Sequence, residues 1–184
     1  MKKVLVTLAP GFEEVEALTP VDILRRAGAH VVIAGTLNGP IEGRNGIRVV
    51  PDASLDDALK DAGSFDMIVL PGGAVGAENL KKDSRVKGLI AAIDSRGAFV
   101  TAICAAPAVL SAAGVLDGKR ATSHPSVRNA LGSAIVTDER VVADGNIITS
   151  QGPGTAMEFA FRLVEALFGA EKAEEVNRTV LAKV

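Results

Sequence analysis

No tryptophan and no tyrosine occur in the chain, and aromatic residues make up only 3% of it. Platforms on which nucleic-acid bases stack are therefore scarce. A formal net charge of −2 and a pI near 5.7 leave no basic surface for phosphates either. Both absences count against nucleic acid as a partner. One cysteine among 184 residues excludes an intrachain disulfide and fits a reducing compartment. No apolar run approaches the ~20 residues that span a bilayer. The run from Val4 to Pro10 gives way to Glu13, Glu14 and Glu16 too soon for the apolar segment of a signal peptide and its cleavage site. The expectation is a cytoplasmic protein with no membrane partner.

What is present reads as one globular domain over residues 1–184, with 48% hydrophobic and 23% charged residues. Apolar runs of strand length recur at 4–8, 31–34, 67–70, 98–102 and 147–149. They do not alternate with polar residues, which predicts strands buried on both faces, as in a parallel sheet. Helical patterns lie between them. The first runs from Glu13 to Arg26, with Val15, Leu18 and Val21 spaced around its turns and Gly28 as its stop. Others cover 86–93, 107–113, 153–168 and 170–181. Segment 39–52 reads as a loop or hairpin insertion, and 134–149 as short strands with a turn at Asp144-Gly145. The alternation predicts an α/β fold with a doubly wound, mostly parallel sheet and helices on both faces.

In such sheets ligands bind beyond the carboxyl ends of the strands. Three segments should meet there: 9–16, 71–73 and 103–106. The last, within Thr101-Ala102-Ile103-Cys104-Ala105-Ala106-Pro107, has the form of a nucleophile elbow, with small Ala102 and Ala106 two residues to either side of Cys104. A helix N-terminus there would favour the thiolate and lower the cysteine pKa; the alternative is an inert buried cysteine. Gly72 and Gly73 could aim backbone N–H groups at a ligand, sharing an oxyanion hole with Ala105, or could simply form a turn. Glu13 and Glu14 suit the dipole of the first helix. Glu16, flanked by Val15, Ala17 and Leu18, could point inward and stay protonated beside a thiolate. His124, in Ser123-His124-Pro125, is either a surface cap or a general base or acid near Cys104.

Other patterns fail. Gly118-Lys119 lacks the following Ser or Thr and the preceding glycine of a phosphate loop, since Arg120 and Ala113 stand there. No G-x-G follows the first strand. Cys104, His124 and Glu16 lack a diagnostic metal-ligand spacing. The glycine turn at 150–155 reads as a helix start rather than an anion site. Neither cofactor nor metal is expected.

Taken together, Leu8 to Glu16, Pro20-Val21-Asp22, Arg25-Arg26-Ala27-Gly28, Pro51 to Leu55, Val69 to Gly73, Ala102 to Pro107, Ser123-His124-Pro125 and Thr149 to Thr155 run in an order and spacing that resembles the DJ-1/PfpI superfamily, and within it the DJ-1/YajL (ThiJ) branch. The resemblance implies a flavodoxin-like sandwich and a homodimer. It implies Cys104 as the reactive, oxidisable thiol, Glu16 as its protonated partner, Gly72 and Gly73 beside the sulfur, and His124 nearby. It also implies that Asp22 and Arg26, on a helix at the dimer interface, approach the partner's site. Two departures stand out. Ala105 replaces the histidine that follows the nucleophile in protease-like members, which argues against a protease triad. Asn45, with Arg44 beside it, stands where the branch usually carries arginine.

On that resemblance the leading expectation is a cofactor-free enzyme acting on reactive carbonyls such as glyoxal and methylglyoxal, or on the same carbonyls attached to glycated side chains. Its rival is a non-enzymatic redox sensor or holding chaperone that works through oxidation of Cys104. A weaker rival is a flavin- or nucleotide-binding module.

Overall fold

The structure, a computed structural model, describes residues 1–182. Its elements run in the order β1 (Lys3–Leu8), α1 (Glu14–Arg26), β2 (His30–Gly35), β3 (Ile41–Glu42), β4 (Arg48–Val49), β5 (Ala53–Ser54), α2 (Leu55–Lys60), β6 (Met67–Leu70), α3 (Ala74–Lys82), α4 (Ser84–Asp94), β7 (Phe99–Ile103), α5 (Pro107–Ala112), β8 (Arg120–Ala121), β9 (Ile135–Val136), β10 (Val141–Asp144), β11 (Ile147–Ser150), α6 (Ala156–Phe168) and α7 (Ala170–Val180).

Seven strands form one sheet in the order β10-β11-β7-β6-β1-β2-β5. Every pairing in it is parallel except β10 with β11, which are antiparallel across the turn at Gly145. The sheet is therefore doubly wound, as the uninterrupted apolar runs predict. Its strands feed two cores. Val4, Val6 and Leu8 of β1 pack with Leu24 of α1 and Phe159 and Leu163 of α6; Leu5 of the same strand packs on the opposite face with Leu80, Leu89 and Leu110. Cys104 touches both cores, because it sits where β7 runs out at the sheet's edge of carboxyl ends.

The sequence expectations shift at several points. Helices α2 and α3 were not among the periodic segments. Residues 153–155 form a 3₁₀ turn that precedes α6, in which the Gly152 N–H donates to the Thr155 hydroxyl oxygen at 3.1 Å. Helix α7 ends at Val180 because Leu181 adopts φ 58°. Segment 39–52 is a hairpin, with β3 pairing β4 antiparallel. On α1 the buried set is Glu14, Glu16, Ala17, Pro20, Val21, Ile23 and Leu24, whereas Val15 and Leu18 are 49% and 36% exposed. The helix thus turns two carboxylates inward and two aliphatic side chains outward.

Candidate active site

Strand β7 ends at Ile103 and α5 begins at Pro107, so three residues must reverse the chain. Cys104 takes up the reversal with φ 65°, a left-handed conformation that costs a residue with a β-carbon roughly 1–2 kcal/mol. The turn is held from outside. The Cys104 N–H donates to the Ser150 carbonyl at 2.9 Å, and its carbonyl accepts the His124 N–H at 2.8 Å. Ala106 closes the turn with an N–H to the Ile103 carbonyl at 3.0 Å. These bonds fix the backbone on both sides, so the side chain is presented where β6, α1 and the elbow converge.

Glu16 enters from the first turn of α1 and is wholly buried. Its Oε2 accepts the Gly72 N–H at 2.8 Å. Its Oε1 meets no nitrogen or oxygen donor among the described residues. The turn that supplies Gly72 is tied back to α1 by the Glu13 N–H, which donates to the Gly72 carbonyl at 3.1 Å. Only glycine fits at 72. A β-carbon there would lie 2.6 Å from both Cys104 Cβ and Glu16 Oε2. Gly73, at φ 82°, leads into α3, and a β-carbon on it would run into the Gly11 carbonyl.

The electrostatics follow from this crowding. Burial pushes the Glu16 carboxyl up to about 7, against the hydrogen bonds of Cys104 and of the Gly72 N–H; Glu13 adds to the rise and Arg44 opposes it. Burial also pushes the Cys104 thiol up to about 12, reinforced by the charge of Glu16 and its hydrogen bond, while the N–H groups of Gly73 and Ala105 pull it down. The expectation of a lowered thiol pKa is thereby corrected: burial and the neighbouring carboxyl outweigh the helix N-terminus. Once the pH rises past about 7, oxygen and sulfur together hold one negative charge and one proton. The sulfur has two N–H groups, the carboxyl one. Moving the shared proton from sulfur to Glu16 therefore places the charge where the donors are, and relieves Oε1 of being charged and unpartnered.

The glycines divide their work differently from the expected oxyanion hole. Gly72 spends its N–H on Glu16, while the N–H groups of Gly73 and Ala105 favour the charged form of the thiol. His124 reaches the elbow with its backbone only. Its ring is exposed, with Nδ1 2.7 Å from Ser126 Oγ, as a cap of the following 3₁₀ turn. Asp22 and Arg26 form an exposed pair along α1 at 2.9 Å and are not brought to the thiol within this chain. Among the described residues no cluster of three or more His, Cys, Asp or Glu could hold a metal, and no helix is long and apolar enough to cross a membrane.

Sequence reasoning missed the part played by Glu13, Glu14 and the β3–β4 hairpin. Rather than only complementing the helix dipole, both carboxylates are buried under the hairpin tip. Asn45 donates its side-chain amide to Glu14 Oε2 at 2.8 Å and to Glu13 Oε1 at 3.3 Å, and its backbone N–H to Glu14 Oε1 at 2.8 Å. Arg44 Nη1 lies 3.4 Å from Glu13 Oε2. The only local signal was the surplus of acid at the start of α1.

A doubly wound α/β sheet carrying a left-handed cysteine at a strand-to-helix turn, with a buried carboxyl against its sulfur, defines a flavodoxin-like protein with a thiol-centred site. The chain belongs to the DJ-1/PfpI family, whose model matches residues 2–166. It is 45% identical over 184 residues to Protein dj-1beta of Drosophila melanogaster, covering 98% of this chain and 97% of that one. It is 37% identical over 186 residues to the glutathione-independent glyoxalase DJR-1.2 of Caenorhabditis elegans, covering 99% and 98%. The crystal structure of Drosophila DJ-1beta superposes with a TM-score of 0.95 at 42% identity over 100% of this chain and 99% of that one. Oxidised Toxoplasma gondii DJ-1 superposes equally well, at 0.95 and 33% identity over the whole of both chains.

Proposed function

We propose that this protein is a cysteine-dependent, cofactor-free enzyme acting on small reactive carbonyls, of the glutathione-independent glyoxalase type. One observation carries the reading: the Cys104 sulfur lies between a buried carboxyl that can take its proton and two backbone N–H groups that stabilise negative charge. The likeness to DJR-1.2 supports it.

On methylglyoxal the chemistry runs as follows. The proton on sulfur passes to Glu16, and the thiolate adds to the aldehyde carbon. Glu16 returns that proton to the new alkoxide, giving a hemithioacetal. Glu16 then removes the C–H proton from that carbon while the neighbouring carbonyl oxygen takes up a proton, giving an enediol. The C–H proton is returned to the second carbon as the hemithioacetal hydroxyl gives up its own, so the former aldehyde becomes a thioester and the former ketone an alcohol. Water attacks the thioester, releases lactate and restores the thiol. The sum is methylglyoxal plus water to lactate, with no external oxidant or reductant. The same addition could remove such a carbonyl from a glycated side chain. His124, exposed and bonded to Ser126, takes no step in this scheme.

The test is lactate release from methylglyoxal without glutathione by wild type, Cys104→Ser and Glu16→Gln. Turnover in the wild type that both substitutions abolish supports the pair. No turnover with the thiol confirmed reduced would sink the reading. In that event the redox-sensor reading leads. It is favoured by the same two N–H groups, which suit a sulfinate as well as a thiolate, and by the likeness to an oxidised relative.

We further propose that two copies associate through α1, where Val15 and Leu18 face solvent beside the Asp22–Arg26 pair. The protein would act in the reducing cytoplasm, where its lone thiol stays available.

A further inference from the structure

The tip of the β3–β4 hairpin reaches back over the first turn of α1, the turn that carries Glu16. Three hydrogen bonds from Asn45 fasten it to the Glu13 and Glu14 carboxylates. The Ile47 N–H adds a longer one to Glu14 Oε1 at 3.4 Å, and the Arg44 N–H donates to the Phe12 carbonyl at 2.9 Å. Gly43 is required because a β-carbon there would run into the Glu14 carboxyl. These contacts hold Arg44 with its guanidinium against Glu13, whose side chain is only 8% exposed, while the Arg44 side chain is 56% exposed.

We propose that this hairpin tip positions the Glu13–Arg44 ion pair as the electrostatic setting of the site, fixing how readily the Glu16–Cys104 pair gives up its first proton, and that Asn45 is the residue that keeps the setting in place. The charged and titratable groups acting on Glu16 come from three directions: Glu13 on its own helix, Arg44 on the hairpin and Cys104 on the elbow. Glu13 and Arg44 act on Glu16 with opposite signs, so that each offsets the other. Glu14 is taken up by the clamp itself. Burial pushes its carboxyl up, but bonds from its own N–H, from Asn45 and from Ile47 win and keep it below the usual carboxylate range. The clamp therefore stays charged and closed across the neutral range.

Removing either member of the ion pair should expose the other. Without Arg44, the uncompensated Glu13 charge disfavours the anion of the Glu16–Cys104 pair. Without the Glu13 charge, the freed guanidinium favours it. A purely structural role would move both variants the same way. The proposal rests on the pairing of Glu16 with Cys104 put forward above, but its readout needs no turnover. The lone cysteine makes alkylation by neutral iodoacetamide a direct measure of the site's anion as a function of pH.

Iodoacetamide modification of Cys104 should be followed from pH 5 to 10 in wild type, Glu13→Gln, Arg44→Ala, Arg44→Lys and Asn45→Ala. Relative to wild type, the midpoint should fall in Glu13→Gln and rise in Arg44→Ala, each by roughly 0.5–1 pH unit given partial exposure of the pair. Arg44→Lys should restore the wild-type midpoint, and Asn45→Ala should follow Arg44→Ala. The shifts should shrink in 1 M salt, where screening shortens to about 3 Å. Shifts of the same sign in Glu13→Gln and Arg44→Ala, or no shift in either, would overturn the proposal, whether or not the protein turns over methylglyoxal. Failure of lactate release with the opposite shifts intact would overturn the carbonyl reading alone.

Discussion

Gly72 donates its N–H to Oε2 of Glu16 at 2.8 Å from a position where its α-carbon leaves no room for a β-carbon between that oxygen and Cys104. The glycine is thus the spacer that lets a carboxyl and a thiol share one buried space. It needs no unusual dihedral to do so; its role is purely one of size.

Gly72→Ala tests this spacing. The added methyl has to push apart Glu16, Cys104 and the Ile103 carbonyl, 2.9 Å away. Overpacking of that kind costs about 1–3 kcal/mol, so the melting temperature should fall and Cys104 alkylation should slow together. A variant as stable and as reactive as wild type would show that the turn relaxes freely.

The strain at Cys104 can be weighed by comparing Cys104→Gly with Cys104→Ala. Both remove the sulfur, but only glycine adopts φ 65° without penalty. The glycine variant should be the more stable by about 1 kcal/mol in urea unfolding, the difference being the conformational cost of a β-carbon there. Equal stabilities would mean that the elbow is not strained.

Stability should depend on pH through Glu16 with a definite sign. Burial lifts this carboxyl from 4.5 to about 7. Between those values the folded state keeps a proton that the unfolded state has released, so the contribution is full below 4.5 and is lost as pH rises through 7. Its ceiling is roughly 3 kcal/mol, from 1.36 kcal/mol per unit. Glu16→Gln carries no such dependence. Calorimetry should therefore find it gaining on wild type between pH 5 and pH 8, while its activity is lost. A gap that stays flat over that range would place Glu16 at an ordinary carboxylate value.

His124→Ala should leave the pH midpoint of Cys104 alkylation unchanged. It should lower lactate release well short of the ~100-fold that loss of a proton-transfer group causes. Its ring caps a turn through Ser126, and the bond it gives the elbow is from the backbone, which the substitution keeps. A loss comparable to that of Glu16→Gln would return His124 to the chemistry.

The outward face of α1 predicts association. Leu18→Glu, with Val15 beside it, should shift the protein to a lighter species in sedimentation velocity without loss of helical circular dichroism. An unchanged sedimentation coefficient would remove α1 from the interface.

Much of this protein was legible along the chain. Uninterrupted apolar runs identified the central strands because parallel strands covered on both faces have no polar side to show. Small residues around Cys104 identified the elbow because only they let a strand fold straight back into a helix. Of the carboxylates at 13, 14 and 16, the chain singled out Glu16 for an inward place but left Glu13 and Glu14 as partners of the helix dipole, although both are buried. The packing of α1 against α6 buries Glu14 together with Glu16 and leaves Val15 and Leu18 facing outward, which periodicity alone did not show. Nor could spacing show that the hairpin tip returns to hold Glu13 and Glu14. Local periodicity is written in dihedral preferences and neighbouring side chains, so the sequence by itself determined the order of strands and helices and the place of the nucleophile. Proton affinity depends on which groups lose water together, and Glu16 meets Gly72 across a separation of 56 residues; the protonation and shape of the site were therefore decided only when the tertiary structure closed.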